Sequence, residues 1–441
     1  MHYAQACEYL TKIRGETTKL SLHTIRRIID RLPFDAGAVK YVQVAGTNGK
    51  GSTSHFIASI LRCTGRRVGL FTSPHLQDVR ERIQVDGRLI SQRDFARAIS
   101  VVHGLCRELI DRRVIAALPT FFETLFLAAL FHFVSRGADW AVLEVGLGGR
   151  LDATSTVIPE VSLITNISRD HTDILGKTLA AIAREKAGIA RKGVPLISGC
   201  PPDSVAGRII RARALAKKAP LIQAFAPPRG LRVEKKGTAY LCRVRVPGRE
   251  YRLRVLQKGR HQALNAALAV QAVDELRRRG WEIDDKAVSR GLRSMFIPAR
   301  IEVFSGRPPL ILDGGHNSDG IRVLAAYLQE AGIRGFTLIF GVLKDKQYPA
   351  MARQLAPLAA HVILTEPRSE RALPAEKLLP FFRESDCRIE RDYPRALAVA
   401  KKLKRTIIVC GSLYLAGAMR AIMLGGKKYG RQKIQGNRGT L

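Results

Sequence analysis

The chain has 441 residues, of which 46% are hydrophobic and 25% are charged, and because this exceeds what one hydrophobic core usually supports, we expect two domains. Its 73 Lys and Arg residues outnumber 38 Asp and Glu residues and give a net charge of +35, which suits polyanionic small substrates, nucleic acid or an anionic membrane surface, or only a solvated basic surface. The arginines are spread along the chain and aromatic residues make up 6%, so no nucleic acid partner is expected.

Cysteine usage and the apolar stretches indicate a cytoplasmic protein. The seven cysteines are scattered without a CxxC pair, which argues against a disulfide framework and a zinc site. The first residues, MHYAQACEYL, lack the basic-then-apolar order of a secretory signal. The apolar run 114–134 is interrupted by Pro119, Glu123 and His132, so it predicts a core helix and no membrane span.

In the first two thirds of the chain, short β-branched runs alternate with helical patterns. The predicted strands are 41–45, 68–71, 141–145, 161–165 and 194–198. The predicted helices between them include 52–64, 91–111, 121–134 and 179–190. This alternation predicts an α/β fold, with a P-loop-type doubly wound parallel sheet in the N-terminal domain.

The remaining sequence predicts a ribbon and a second α/β domain. Residues 231–255 alternate charged and apolar side chains, which is typical of a small antiparallel ribbon, and helices 261–279 and 284–292 follow. After Phe296-Ile297-Pro298, a predicted hinge, strands are expected at 310–312, 337–340, 361–364 and 406–409. We therefore predict a domain 1–296, a Rossmann-like α/β domain 297–425 and a basic, disordered tail 426–441.

The stretch YVQVAGTNGKGSTSHF, residues 41–56, resembles a phosphate-binding loop in a shifted register. A valine replaces the first glycine of the usual pattern, and Gly51 follows Lys50 where a hydroxyl is usual. The loop nevertheless joins a strand to a helix predicted from Ser52, so its N–H groups suit phosphate oxygens. Gly46 and Gly49 allow close backbone approach, Lys50 can reach the β- and γ-phosphates, and the Ser52 hydroxyl can face phosphate or a magnesium-bound water.

Polar side chains at three other strand ends suggest a metal site. Glu144 lies inside the apolar strand ADWAVLEV, where an unpaired carboxylate would be costly. His171, between Asp170 and Asp173, follows the next strand, and Ser73 follows another. Because the carboxyl ends of parallel strands meet at one edge of a sheet, these side chains are expected to converge beside the loop, and their oxygen-rich set favours Mg²⁺.

Ten short motifs in one order support a family resemblance. They are AGTNGKGS, TSPHL, TFFE, LEVGLGGRLDAT, DHTDILG, REKAGIARKG, HQALNAALA, PAR, DGGHN and GVLKDK. Together they resemble the bifunctional dihydrofolate synthase/folylpolyglutamate synthase family, within the Mur-ligase-like superfamily of ATP-dependent amide-forming ligases. The resemblance runs from about the first helix to CGSLYLAGAM and implies ATP-dependent ligation of L-glutamate to dihydropteroate and to the γ-carboxylate of folylglutamates, through an acyl phosphate.

The resemblance also implies roles for individual residues. The ATP phosphates would be bound by Thr47, Asn48, Gly49, Lys50, Gly51 and Ser52. One Mg²⁺ would be bound by Ser73 and Glu144 and a second by His171. Lys186 of the REKAGIARKG motif would be carbamylated and act as an acidic group near the metals, although the helical pattern alone would place it on the surface. The nucleotide site, between the domains, would be completed by Asn265, Arg300, Asp313 and His316, and Asp313 or His316 would orient the attacking amine.

Two segments match the dihydropteroate-binding segments of the family. They are TFFE, with Thr120, Phe121, Phe122 and Glu123, and LDA, with Leu151, Asp152 and Ala153. They resemble the version that takes dihydropteroate as well as folates. The resemblance thus implies an enzyme of small-molecule substrates, and by default we expect a monomer.

The chain departs from the family pattern in three places. The P-G-R of the hinge is Pro298-Ala299-Arg300, which keeps the cation, and DGAHNP is DGGHNS, with Gly315 and Ser318 substituted. The segment RGETTKLSLHTI differs most from the FGIKLGL-like segment of the family, so pterin contacts there are open. No departure removes a metal or phosphate ligand.

Alternative functions remain open. The chain could be a folylpolyglutamate synthase alone, or another Mur-type ligase. A cell-wall Mur ligase would normally carry a separate domain before the phosphate loop, which only about forty residues precede here. A nucleotide-binding switch or an RNA-associated protein would bind nucleotide without glutamate-dependent release of ADP.

Overall fold

The computed structural model describes residues 1–13, 21–227 and 229–425. The chain divides into two compact units, Met1–Ile297 and Pro298–Leu441. The predicted basic tail, residues 426–441, and residues 14–20 of the divergent N-terminal segment lie outside the described residues.

The first unit is built on an eight-stranded sheet with the order β4-β3-β2-β5-β1-β6-β7-β8. Its strands are β1 Lys40–Ala45, β2 Val68–Phe71, β3 Ile83–Val85, β4 Arg88–Leu89, β5 Trp140–Glu144, β6 Val161–Ile164, β7 Leu196–Ser198 and β8 Leu221–Gln223. Six neighbouring strands of this sheet, β2, β5, β1, β6, β7 and β8, are parallel, as predicted. At one edge, β3 and β4 pair antiparallel.

Ten helices of the first unit surround this sheet in the described residues. They are α1 Tyr3–Ile13, α2 His23–Ile29, α3 Lys50–Arg62, α4 Gln92–Asp111, α5 Phe121–Ser135, α6 Thr172–Leu175, α7 Leu179–Lys186, α8 Val205–Ala216, α9 Arg260–Arg278 and α10 Asp285–Arg293. On β1, Val42 and Val44 face a core layer shared with α3, α9 and α10, whereas Tyr41 faces a layer shared with α1, α4 and α5. The opposite directions follow from the alternation of side chains along a strand.

The apolar run 114–134 forms the buried helix α5, as predicted. Residues from Leu125 to Leu130 have no exposed surface, since α5 packs between the sheet and α4. Among the described residues, no helix is both long and apolar enough to cross a membrane.

The predicted antiparallel ribbon is confirmed. It consists of β9 Gly230–Lys236, β10 Ala239–Val246 and β11 Arg249–Val255, with β10 in the middle. Along β10, Cys242 and Val244 are buried while Arg243 and Arg245 are exposed, the alternation expected of a sheet with one solvated face. The buried face packs against α9.

The second unit contains a six-stranded sheet with the order β12-β13-β17-β14-β15-β16. Its strands are β12 Glu302–Phe304, β13 Leu310–Leu312, β14 Phe336–Phe340, β15 Ala359–Leu364, β16 Asp386–Ile389 and β17 Ile407–Cys410. Its helices are α11 Ser318–Glu330, α12 Tyr348–Leu355, α13 Tyr393–Lys402 and α14 Leu413–Met423. All pairs are parallel except β12 with β13, so the predicted α/β class is confirmed here too.

Some predicted boundaries were wrong by a few residues. Helix α3 begins at Lys50 rather than Ser52, because Gly49 is the left-handed residue before the helix, with φ at 80°. Helix α7 ends at Lys186 rather than at residue 190, and a short 3-10 turn, Ala187–Ile189, follows. A side chain at Gly188 would place Cβ 2.3 Å from Cβ of Arg150, so this turn depends on a close approach that only glycine allows.

Candidate nucleotide and ligase site

The glycine-rich loop that joins β1 to α3 is held against the end of β6. Gly46, with φ at 140°, approaches β6 so closely that a Cβ there would lie 1.9 Å from Oγ1 of Thr165. The N–H groups of Thr47 and Asn48 donate to the backbone and side-chain oxygens of Asn166, at 2.9 and 3.0 Å. The loop therefore depends on Asn166, shortly after β6, which sequence reasoning missed, although a polar TN pair at the end of an apolar strand is a readable signal.

Two lysines donate hydrogen bonds to this loop. One belongs to the loop itself and the other to the REKAGIARKG motif. Lys50 Nζ donates to the Thr47 carbonyl at 3.0 Å, and Lys186 Nζ donates to the Gly46 carbonyl at 2.8 Å. Lys186 is 5% exposed, which contradicts the surface position that its helical pattern alone predicted. Burial, followed by the charge of Lys50, lowers the pKa of Lys186 to about 7, because a buried ammonium loses hydration.

Glu144 meets the loop from the end of β5. Its side chain is buried and its Oε2 accepts the N–H of Ser73 at 2.9 Å. A Cβ at Gly51 would lie 3.3 Å from the same oxygen, so the carboxylate reaches the first turn of α3. Glu144 and the backbone of Ser73 therefore meet beside the loop, and the binding of a metal by their side chains stays a prediction.

His171 follows β6 and starts α6 with a left-handed backbone, φ 51°. Its Nε2 lies 4.0 Å from Oδ1 of Asp170, and its side chain is 40% exposed. Within the described ranges, no three His, Cys, Asp or Glu side chains cluster closely enough to hold a metal by themselves. Mg²⁺ is commonly bound through one or two carboxylates together with substrate phosphates and waters, so this geometry is compatible with a site completed by nucleotide.

Asn265 lies on α9 against the loop. It is buried, and its Nδ2 donates to Oε1 of Gln262 at 3.2 Å. A Cβ at Gly49 would lie 2.3 Å from Oδ1 of Asn265. The close approach of Asn265 therefore adds a second reason, besides the positive φ, why position 49 is glycine.

The TFFE segment begins α5 through a capping box. Thr120 Oγ1 accepts the N–H of Glu123 at 3.3 Å, and Glu123 Oε2 accepts the N–H of Thr120 at 2.8 Å. Phe122 packs against Phe71, with ring centroids 5.4 Å apart, and the Arg82 guanidinium lies over the Phe121 ring at 5.3 Å. The two rings of this segment are held against β2 and the segment that follows it.

The LDA segment is organised by its own aspartate. Asp152 is buried; its Oδ2 accepts the N–H groups of Gly146 and Leu147, both at 3.0 Å, and its Oδ1 accepts the Thr154 hydroxyl at 2.6 Å. Thr154 in turn accepts Nε2 of the fully buried Gln43 on β1 at 3.0 Å. The segment is thus linked to the strand that carries the phosphate loop, and Leu151 and Ala153 flank its aspartate. Sequence reasoning did not identify Gln43, although a polar residue inside an apolar strand is a readable signal.

In the second unit, Asp313, Arg300 and His316 lie around the end of β13. Asp313 is buried and accepts the N–H groups of Ile301 and Gly315 at 2.9 and 2.7 Å. Burial raises the pKa of Asp313, although the charge of Arg300 opposes this. His316 Nδ1 donates to the Gly314 carbonyl at 2.9 Å, since a carbonyl oxygen only accepts.

The family models match both units. Residues 44–273 match the Mur ligase middle domain, and residues 299–413 match the Mur ligase glutamate ligase domain. Folylpolyglutamate synthase of Lacticaseibacillus casei is 34% identical over 88% of this chain and 91% of its own length. Dihydrofolate synthase/folylpolyglutamate synthase of Bacillus subtilis is 31% identical over 91% of this chain and 94% of its own.

The chain belongs to the dihydrofolate synthase/folylpolyglutamate synthase family of Mur ligases. Solved structures agree with this membership. Mycobacterium tuberculosis folylpolyglutamate synthase complexed with ADP has a TM-score of 0.89 at 29% identity, over 97% of this chain and 98% of that one. Escherichia coli FolC in complex with DHPP and ADP has a TM-score of 0.86 at 28% identity, over 97% and 99%.

Two other relatives are longer than this chain. The probable bifunctional folylpolyglutamate synthase/dihydropteroate synthase of Haloferax volcanii is 35% identical over 95% of this chain, and a similar protein occurs in Halobacterium salinarum. The chain spans about half the length of these two relatives.

Proposed function

We propose that this chain joins L-glutamate to dihydropteroate, forming dihydrofolate, and to the γ-carboxylate of folylglutamates, with ATP as the energy source. The observation that carries the proposal is the meeting of Lys50, Lys186 and Glu144 at one glycine-rich loop, in a chain whose two units match the two ligase domains. The names of the Bacillus subtilis relative and of the Escherichia coli complex with DHPP and ADP support it. The site is proposed to work in the cytoplasm, in a monomer.

The loop is proposed to bind the ATP phosphates. The N–H groups of Gly49, Lys50, Gly51 and Ser52 lie at the start of α3, where partial positive charge accumulates, and are proposed to face the phosphates. The N–H groups of Thr47 and Asn48 already donate to Asn166, so these two residues are proposed to hold the loop in its phosphate-binding shape. Asn265 would contact the nucleotide from α9. Arg300 and Asp313 of the second unit are proposed to serve the same nucleotide, Arg300 through its charge.

Residues of the first unit beside the loop are suited to bind a magnesium ion. Glu144 supplies a buried carboxylate, which accepts the backbone N–H of Ser73. The Ser73 hydroxyl is proposed as a second ligand, since oxygen ligands are those that Mg²⁺ prefers. His171 is proposed to serve a second Mg²⁺. When bound, the metal would neutralise charge on the phosphates and so permit an anionic nucleophile to approach.

Lys186 is proposed to be carbamylated. A pKa of about 7 leaves much of the buried amine neutral near neutral pH, and only the neutral amine attacks CO₂, forming the N–C bond and releasing a proton. The product would replace a cation that Lys50 repels by an anion that Lys50 attracts. Carbon-13 NMR with labelled bicarbonate tests this: a carbamate signal should occur in the wild type and be lost in Lys186→Met.

The chain's residues are proposed to act in two steps. The substrate carboxylate attacks the γ-phosphorus, the bond to the β-phosphate oxygen breaks, and ADP leaves; Lys50 and Arg300 stabilise the oxyanions that form. The amine of L-glutamate then attacks the acyl phosphate carbonyl, and inorganic phosphate leaves as the amine loses a proton. His316 or Asp313 is proposed to orient that amine.

The TFFE and LDA segments are proposed to bind the pterin. Because the carboxylates of Glu123 and Asp152 already accept backbone N–H groups, the contacts would come mainly from the rings of Phe121 and Phe122 and from the loop backbone. Aromatic rings suit a flat heterocycle.

The test is a turnover assay with Mg-ATP, L-glutamate and either dihydropteroate or tetrahydrofolate, following phosphate and the ligated product. We expect glutamate-dependent release with both pterins, and loss of release in Lys50→Ala with an unchanged thermal midpoint. Release with tetrahydrofolate alone would favour a folylpolyglutamate synthase only, as the name of the Lacticaseibacillus casei relative allows. No release with either pterin, but release with a UDP-sugar peptide, would overturn the proposal.

A further inference from the structure

The segment Pro298-Ala299-Arg300-Ile301 has an unusual backbone. Ala299 and Ile301 both lie in the left-handed region, with φ at 52° and 49°. Glycine adopts this region freely, alanine does so at a cost, and a β-branched residue is rarely found there. Arg300 is therefore held between two residues whose conformation the surrounding structure must impose.

Two buried carboxylates impose it. Glu302 Oε2 accepts the N–H of Ala299 at 2.9 Å, and Asp313 Oδ2 accepts the N–H of Ile301 at 2.9 Å. The Ala299 carbonyl accepts the N–H of Gly314 at 2.8 Å. Each strained residue thus has its N–H directed to one carboxylate, and both residues are buried.

Glu302 is itself oriented by Arg420 of α14. Arg420 Nε lies 3.1 and 2.9 Å from the two carboxylate oxygens, and the side chains are 3% and 6% exposed. A buried ion pair is weak support for stability, because desolvation offsets its attraction, and orientation is its better-attested use. The pair links the strained segment to the interior of the second unit.

We propose that Glu302 and Arg420 are positioning residues that set the place of the Arg300 guanidinium for nucleotide binding. The inference rests on the proposed function, in which Arg300 binds ATP. Arg300 Nη1 lies 3.4 Å from the Ala299 carbonyl, and a Cβ at Gly314 would lie 2.5 Å from the same nitrogen. A backbone change at Ala299 would therefore move the guanidinium directly.

The test is the affinity for Mg-ADP, measured by calorimetry on the full chain. Glu302→Gln removes the charge that Arg420 orients, and Glu302→Leu with Arg420→Met replaces the pair by apolar side chains that a buried site accepts. We expect the dissociation constant to rise roughly tenfold in either variant. In an Arg300→Ala background, the same changes should raise the dissociation constant by less than about twofold, because the effects of contacts that act through one residue are not additive.

Two further variants separate positioning from stability. Leu378→Ala opens a cavity in the second unit's core, in a 3-10 helix packed on β15 and β16 at the opposite edge of the sheet from β12. It should lower the thermal midpoint and leave the affinity unchanged. Ala299→Gly, which needs no support for a positive φ, should restore the affinity of Glu302→Gln to within about threefold of wild type.

The outcomes separate the two proposals. If the wild type fails to bind Mg-ADP, both the proposed function and this inference are overturned. If the wild type binds but Glu302→Gln binds equally well, or if its loss simply adds to that of Arg300→Ala, the inference alone is wrong.

Discussion

Replacing Lys186 by methionine tests the charge state of the lysine that donates to the glycine-rich loop at Gly46. Burial and Lys50 lower its pKa from 10.5 to about 7. Between these values the unfolded chain binds a proton on this amine that the folded protein lacks, so the stability of the wild type rises with pH. Below about pH 7 the amine is protonated in both the folded and the unfolded state, so the cost of burying the ammonium is largest there. The lowering of the pKa from 10.5 to about 7, at about 1.4 kcal/mol per pH unit, gives a cost of about 5 kcal/mol. Methionine, of similar length and without charge, removes this dependence.

The expected result is a difference that changes with pH. Relative to Lys186→Met, the free energy of unfolding of the wild type should increase by about 2 to 3 kcal/mol between about pH 7.5 and about pH 9.5. Urea unfolding followed by tryptophan fluorescence measures it. Trp140 and Trp281, the two tryptophans of the chain, both lie in the first unit with ring centroids 4.8 Å apart, so the signal reports that unit.

Two controls isolate the effect of the Lys186 charge. Buffers free of CO₂ keep the amine unmodified, and Lys192→Met, at an exposed position shortly after α7, controls for the loss of one lysine. If the difference between wild type and Lys186→Met stays constant over the whole pH range, the lysine titrates normally. The account of its burial beside Lys50 would then be wrong.

Three other substitutions have defined outcomes. Glu144→Gln keeps an acceptor for the Ser73 N–H but loses the charge, so ligation should fall at least about 100-fold with an unchanged midpoint; a near-normal rate would refute the metal assignment. Gly49→Ala meets Oδ1 of Asn265 at 2.3 Å with φ at 80°, and should lower stability by about 1 to 3 kcal/mol in urea unfolding. Thr120→Ala removes the capping box and should cost about 1 kcal/mol without changing the KM for dihydropteroate, whereas a raised KM for dihydropteroate would show a role beyond capping.

Long periodic segments of the fold were predictable, and short irregular ones were not. The strands β1 and β5 are mostly apolar because both faces of their sheet are covered. The helix α5 is apolar because it packs between the sheet and α4. The two-residue strand Arg88–Leu89 and the three-residue strand Glu302–Phe304 contain too few residues for any period. Both pair antiparallel at an edge, where tertiary pairing rather than local pattern decides the strand.

The candidate site was partly predictable for a related reason. A carboxylate inside an apolar strand, as at Glu144, signals a site directly, whereas Lys186 sits in a helix whose charged pattern is typical of a surface. Its burial depends on the turn after α7, where Gly188 approaches Arg150 closely, and such a contact is not encoded in helical periodicity. The capping role of Thr120 and Glu123 was readable, since T-x-x-E before an apolar run is a helix-start signal.

The register of the sheet explains why Glu144 reaches the loop. Val44 pairs with Glu144 across β1 and β5, and Ala45 pairs with Ile164 across β1 and β6. All three strands therefore end at the same edge, and backbone hydrogen bonds, not side-chain packing, set the height of the carboxylate. A slip of one residue would turn Glu144 to the opposite face of the sheet. The position of the acidic group is thus as well determined as the sheet itself, while the side chains that act with it depend on loops.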